Sequence, residues 1–223
     1  QWLGRIDVKG GSREQKIKFY TDLWHVLLGR QKISDLSGDY PDRTTGKREG
    51  NFTDAIIKIK TVPKDASGKP MFSMYNSDAW WLTQWNLNIL WGLAWPEMMD
   101  ELSSSMIEYA NNGYLLPRGP SGGGYSYIMT GCPASNLIVS TYMKGLLTKT
   151  NVDHAYEVVK RNHLPGGMLG SSEDINFYTR NGWWPNNAGI TIEAAFQDWG
   201  IAQIAAKLGR KKDYTFFNKR SKG

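Results

Sequence analysis

The sequence predicts a mainly α fold of helical hairpins in series, either an α/α toroid or an irregular bundle. Three observations predict it. Apolar residues recur at helical spacing over most of the chain, glycine and proline break these runs at intervals, and the 223 residues include ten tryptophans. Indole rings bury large areas and favour packed helix interfaces. They also make platforms for sugar rings, whose C–H faces are apolar.

In chain order, Ser12 and Gln15 stand at capping-box spacing ahead of Ile17, Tyr20, Leu23, Trp24 and Leu27, and Gly29 stops this first helix. "ISDLSGDYPDRTTGKREGN" is polar and turn-rich. "FTDAIIKIKTV" alternates around Ile57 and Ile59 and reads as a short strand, with "MFSMY" returning beyond the turn "PKDASGKP" as its partner in a β-hairpin insertion. Residues 78–93 read as one helix capped by Ser77 or Asp78. Pro96 opens the next at the favoured first position, and Gly113 closes it after Asn112. Past the glycine-rich "GPSGGGYSYIMTGCP", helices are expected over 134–147, from a cap at Asn151 or Asp153 to Asn162, and over 173–181. "ITIEAAFQDWGIAQIAAKLG" is a strong helix with a glycine stop, and "KKDYTFFNKRSKG" starts an eighth whose pattern is still helical where it ends. The first helix has nothing before it to pack against. Residues 1–223 are therefore expected to form the larger part of one domain, a fragment of a longer chain.

Composition narrows the function classes. Hydrophobic residues are 40% and charged residues 22%, ordinary for a globular protein, and no apolar run reaches the ~18 residues of a membrane span. The net charge of +6 gathers at the end of the chain, in Arg210, Lys211, Lys212, Lys219, Arg220 and Lys222, and elsewhere the signs are mixed. No nucleic-acid module accompanies it, so no nucleic-acid partner is expected. The lone Cys132 permits no internal disulfide, and His25, His154 and His163 lack zinc-type spacing.

Four stretches carry candidate chemistry. The glycine loop lacks the lysine of a phosphate loop and the preceding strand of a dinucleotide fingerprint, leaving a tight connector or a ligand-lining loop with Arg118, Tyr125, Ser126 and Tyr127 as contacts. In "EAAFQDWGIAQ", Glu193 and Gln197 share a helical face four residues apart, and Asp198 lies between Phe196 and Trp199. Such acids either answer the helix dipole or, partly desolvated, act as a base. "NSDAWWLTQWNLN" brings Asp78, Trp81 and Trp85 to a helix start, as cap and core or as sugar contacts. "SSEDIN" offers Glu173, Asp174 and Asn176, either a helix start or oxygen ligands for calcium, although it is not an EF-hand loop.

Taken in order, "KFYTDLWHVLLG", "SDLSGDY", "SDAWWLTQWNLNILWGLAWPEMM", "NNGYLLPRGP", "YIMTG" through "STYMKGL", "DHAYEVVKRN", "NGWWP" and "TIEAAFQDWGIAQIAAKLGRKKDYTFFNKRS" resemble glycoside hydrolase family 92, the bacterial exo-acting α-mannosidases. The resemblance implies an (α/α)6 toroid behind an N-terminal β-sandwich, so that the chain's partners would be the rest of its own toroid, that sandwich and an α-mannoside glycan. It also implies inversion of configuration, Ca2+ as cofactor and a periplasmic or secreted location. Matching "LEYAYDDW"-type segments to "IEAAFQDW" puts Asp198 at the general-base position, with Gln197 where a second acid often stands. The general acid expected just before "MTG" is missing: Gly123, Gly124 and Tyr125 are found there, and Pro133 where a histidine often follows.

The resulting expectation is a calcium-dependent inverting α-mannosidase in which Asp198 activates water with support from Glu193 and Gln197. Asp78, Trp80, Trp81, Arg118 and Tyr125 would line the sugar pocket, Arg118 meeting a charged aglycone, and Glu173 and Asn176 would hold the metal. The competing expectations are a non-catalytic glycan-binding relative and a helical scaffold whose tryptophans are all core.

Overall fold

The computed structural model describes residues 2–45, 53–77, 80–171 and 174–223. Eight α-helices appear among them, as the periodicity predicts: α1 Arg13–His25, α2 Leu87–Ala94, α3 Pro96–Gly113, α4 Pro133–Met143, α5 Val152–Asn162, α6 Ile175–Asn181, α7 Ala188–Lys207 and α8 Lys211–Arg220. Their ends follow local chemistry. Ser12 and Gln15 form the full capping box of α1, and Asn151, Asp174 and Asn187 each accept the backbone N–H three residues on at the starts of α5, α6 and α7. Pro96 and Pro133 open α3 and α4, where a missing N–H costs nothing. The helix expected over 78–93 is shorter: Trp81–Gln84 is a 3-10 turn, and α2 begins after it.

α4 is the centre of the packing. Pro133 through Val139 and Thr141 are all buried, so the helix is covered almost all round, by α2, α3, α5 and α7. Leu102, Met106 and Tyr109 of α3, Leu137 and Ile138 of α4, Tyr156 and Val159 of α5, and Ile201 and Ile204 of α7 share one core. Small side chains let the helices approach: Ser103 Oγ and Thr141 Oγ1 share a hydrogen bond of 2.7 Å between α3 and α4.

The strands pair differently from expectation. β3 (Thr53–Thr61) pairs antiparallel with β2 (Asp39–Thr44), from the stretch read as turns, and not with "MFSMY". β4 (Tyr75–Ser77) instead pairs with β1 (Arg30–Lys32). Burial explains the exchange. Phe72, Met74 and Tyr75 enter the helical core, Tyr75 N–H bonding Ser105 Oγ of α3 at 2.9 Å, while Tyr40, Asp42 and Thr44 alternate inward along β2.

The glycine-rich stretch opens as a third hairpin, β5 (Gly119–Ser121) and β6 (Gly124–Ser126), so its first half is a tight connector. Gly122 and Gly123 are its two-residue turn, with φ of +54° and +80°, the primed geometry that matches strand twist. Gly123 also presses on β2: its carbonyl accepts the Arg43 N–H at 2.9 Å, and a Cβ there would sit 2.2 Å from the Pro41 carbonyl oxygen. Tyr125 points inward, its hydroxyl within reach of the Tyr109 and Leu115 carbonyls at 3.0 and 2.8 Å. It locks the end of α3 and is a core residue, not the sugar contact expected of it.

Asp198 also belongs to the interior. It is fully buried, and Arg220 of α8 grips it with two bonds, Nε to Oδ2 at 2.6 Å and Nη2 to Oδ1 at 2.7 Å. Tyr178 of α6 donates to Oδ2 at 2.7 Å, and His163 Nδ1 lies 3.1 Å from Oδ1. Ser135 Oγ lies 3.1 Å from His163 Nε2, completing a Ser–His–Asp chain that activates a nucleophile where the serine meets substrate. Here all three side chains are buried, so the chain is a strut joining α4, the end of α5 and α7. Burial acts to raise the Asp198 carboxyl, but the bonds and charges of His163 and Arg220 hold it below its ordinary value. Burial likewise lowers His163, against the pull of Asp198, so the imidazole is neutral.

Gly122→Ala is expected to cost about 1 kcal/mol for the left-handed residue alone, and Gly123→Ala clearly more because Pro41 must also move, as read by urea denaturation. Asp198→Asn, which leaves a buried guanidinium without its counter-charge, is expected to lose about 3–5 kcal/mol. The unfolded chain takes up a proton on His163 near pH ~6.5 and the folded chain resists it, so stability falls as pH drops below that point. A second fall follows below about pH 3.9, as Asp198 becomes protonated in the unfolded state first. In pH-dependent denaturation, His163→Gln should remove the first fall and keep the second.

Candidate functional site

Glu193 and Gln197 do share a face of α7, and that face meets two irregular segments, the Trp81–Gln84 turn and the loop 127–131 between β6 and α4. Glu193 is the centre. Its Oε2 accepts from Trp81 Nε1 and, at 2.8 Å, from Thr130 Oγ1; its Oε1 accepts from Gln197 Nε2 at 3.0 Å and Gln84 Nε2 at 3.3 Å. The amide groups are oriented by other partners. Gln197 Oε1 takes the Cys132 N–H at 2.7 Å, and Gln84 Oε1 takes Asn136 Nδ2 at 2.9 Å, which turns both NH2 groups toward the carboxylate.

The loop is held to this cup from behind. Arg118, fully buried, donates from Nε to the Gly131 carbonyl at 2.8 Å, from Nη1 to Met129 at 3.1 Å and from Nη2 to Met168 at 3.2 Å. Met129 has a φ of +70°, a strained state for a residue with a side chain. Gly131, at +68°, lets the backbone touch the carboxylate: a Cβ would lie 2.6 Å from Glu193 Oε1. Burial pushes the Glu193 carboxyl above its ordinary value, opposed by the bonds from Trp81, Thr130 and Gln84 and by the Arg118 charge. The result is a desolvated carboxylate among neutral donors, suited to hold a hydroxyl or water and to accept its proton. An aromatic rim stands beside it. Trp81 meets Trp85 edge-on at 6.5 Å, and the half-exposed Trp85 stacks on Phe196 at 5.3 Å and 21°.

Of the residues expected to form the site, the structure brings together Glu193, Gln197 and Trp81. Asp198, about 140° further round α7 from Glu193, faces the interior as described. Trp80 is fully buried, edge-on to Trp91 at 6.2 Å, and is core where a sugar contact was expected. Arg118, buried, holds the backbone carbonyls of Gly131, Met129 and Met168. Asp78 and Glu173 lie outside the described residues. Asn176 is exposed on α6, apart from this cup, and Asp174 is the cap of that helix. Gln84 and Thr130 were missed; their signal was their place inside "WWLTQW" and "MTG", stretches already singled out for other residues.

Calcium does not fit the residues described. No three Asp, Glu, His or Cys side chains converge among them, and the cup offers one carboxylate beside amide oxygens already engaged within the chain.

The fold matches solved structures over nearly its whole length. The family GH92 alpha-mannosidase BT3965 from Bacteroides thetaiotaomicron, in complex with mannoimidazole, superposes with a TM-score of 0.81 at 23% identity, covering 99% of this chain and 27% of that one. The family GH92 inverting mannosidase BT2199 from Bacteroides thetaiotaomicron VPI-5482 gives 0.76 at 23% identity, over 99% and 28% of the two chains. The gh92 family glycosyl hydrolase ccman5 gives 0.57 at 16% identity, over 99% and 26%. The chain thus spans about a quarter of the length of these relatives, and their likeness to it is one of fold. No curated protein sequence matches it. The sequence profile of the Glycosyl hydrolase family 92 catalytic domain matches residues 1–223, and the chain belongs to that family.

Proposed function

We propose that this chain carries part of the active site of an inverting exo-α-mannosidase, with Glu193 as the carboxylate that activates water. One observation carries the reading: Glu193 sits desolvated in a cup of neutral donors beside an aromatic rim, in a chain matched throughout by the family 92 catalytic domain. The names of BT3965 and BT2199 give the sugar and the stereochemical course for those proteins.

The chemistry follows from the contacts. Thr130, exposed on its loop, is the donor a water most readily replaces at Glu193 Oε2. That water attacks the anomeric carbon while its proton passes to Glu193. The electrons of the breaking C–O bond leave with the departing oxygen, which takes a proton from a general acid on the opposite side of the ring. That acid, any calcium ligands and export from the cytoplasm are all assigned to parts of the protein outside the residues described.

A second reading is a glycan-binding relative without turnover. It is favoured by Gln197, an amide beside Glu193, and by the hairpin at 119–126, which brings no carboxylate to the site. Proton NMR of the intact polypeptide with a panel of α-mannosides decides between the two: release of β-mannose supports the hydrolase, and bound but uncleaved sugar supports the binding protein. For the hydrolase, Glu193→Gln is expected to lower kcat by about 10²–10⁴-fold at a stability cost of about 1–3 kcal/mol, since its new NH2 must face groups that themselves donate, whereas Asp198→Asn acts first on stability. Since a base must be ionised, kcat/KM should fall as pH drops through the raised Glu193 pKa, and a fall on the alkaline side alone would remove the assignment.

A further inference from the structure

Glu193 Oε2 accepts from two donors, Trp81 Nε1 and Thr130 Oγ1, and the backbone beside each is held by Arg118. Trp81 follows Trp80, whose N–H donates to the Arg118 carbonyl at 3.0 Å. Thr130 stands between Met129 and Gly131, whose carbonyls accept from Arg118 Nη1 at 3.1 Å and Nε at 2.8 Å. One buried residue thus serves both segments, with its carbonyl on one and its guanidinium on the other.

The shape of the loop explains why a guanidinium stands here. Met129 and Gly131 are both left-handed, so the chain carries Thr130 between two residues of that hand. Glycine adopts the state freely, whereas methionine does so only where its surroundings over-determine it. The Met129 side chain is exposed, so packing alone does not hold it, and the Arg118 bonds on either side of Thr130 supply the restraint. A guanidinium suits the task because its donors are fixed in one plane, whereas a lysine ammonium is a single point. Nη2, on the carbonyl of the buried Met168 at 3.2 Å, ties the loop to the core. The charge also reaches Glu193 through space, opposing the rise that burial causes.

We propose that Arg118 is a positioning residue for the reaction, acting through Thr130 and Trp81 to set their donors against Glu193 Oε2, where the attacking water is activated. The inference rests on the hydrolase reading above. Its test is steady-state kinetics of the intact polypeptide across pH on a panel of α-mannosides, with kcat taken per folded molecule. The proteins compared are the wild type, Arg118→Lys, and Arg118→Lys combined with Met129→Gly. Arg118→Lys keeps the charge and loses the fork. It is expected to lower kcat about 10–100-fold, with KM within about threefold and the acid limb of kcat/KM in place. Glycine at position 129 adopts the left-handed state without restraint, so the double variant is expected to recover about tenfold in kcat. Three results overturn the inference: kcat per folded molecule unchanged in Arg118→Lys, a rise in KM at constant kcat, or no recovery in the double variant. The hydrolase reading survives each of them if the wild type still releases mannose. A wild type that cleaves no α-mannoside overturns both. If Arg118→Lys fails to fold, Arg118→Gln, alone and with Met129→Gly, carries the same comparison of kcat.

Discussion

Arg220 and Asp198 meet in the interior through two short parallel bonds, and three other helices depend on the meeting. Tyr178 brings α6 to the same carboxylate, His163 brings the end of α5, and Ser135 ties α4 to His163. Arg220 also donates to the His163 carbonyl at 2.8 Å, so the turn after α5 is gripped from both ends of its residue. A buried pair of this kind is not a large net source of stability, because both ions must be desolvated. Its contribution is specificity of position: few other packings satisfy both charges. With α4 and α7 fixed against each other, the loop entering α4 arrives where Thr130 and Gly131 meet Glu193.

The cup is built on the other side of the same helix and by a different principle. Its donors are an indole, a hydroxyl and two amides, none of them charged, and they come from three segments far apart in sequence. Neutral donors orient a carboxylate without the strong lowering of pKa that a cation brings, so burial prevails and the group stays a better base. Asp198 differs in one respect: both carboxylates are buried, but only Asp198 is bonded directly by Arg220 and His163, and their protonation energetics diverge accordingly.

The helices were legible in the sequence because their signals are local. A capping box at Ser12, prolines at 96 and 133, and an asparagine at 151 each act within one turn of themselves. Strand pairing was not, because it depends on partners that only the helical core selects; Tyr75 leaves β3 to reach Ser105. The site was half legible. Spacing put Glu193 and Gln197 on one face, and the resemblance to family 92 pointed to Asp198 on the same helix, which the structure buries. Which of them faced outward was hidden by Arg220, visible beforehand only as part of a basic tail. Trp80 and Trp81 show the same limit: neighbours of identical chemistry, one packed against Trp91 and the other donating to Glu193.

α7 therefore keeps two registers at once. Between Glu193 and Asp198 each residue added or removed turns one face by about 100° relative to the other. Either the carboxylate of the cup or the anchor of the core would then be swung out of place. A change in the length of this interval therefore cannot keep both carboxylates in place, whereas a change of side chain between them leaves both registers intact.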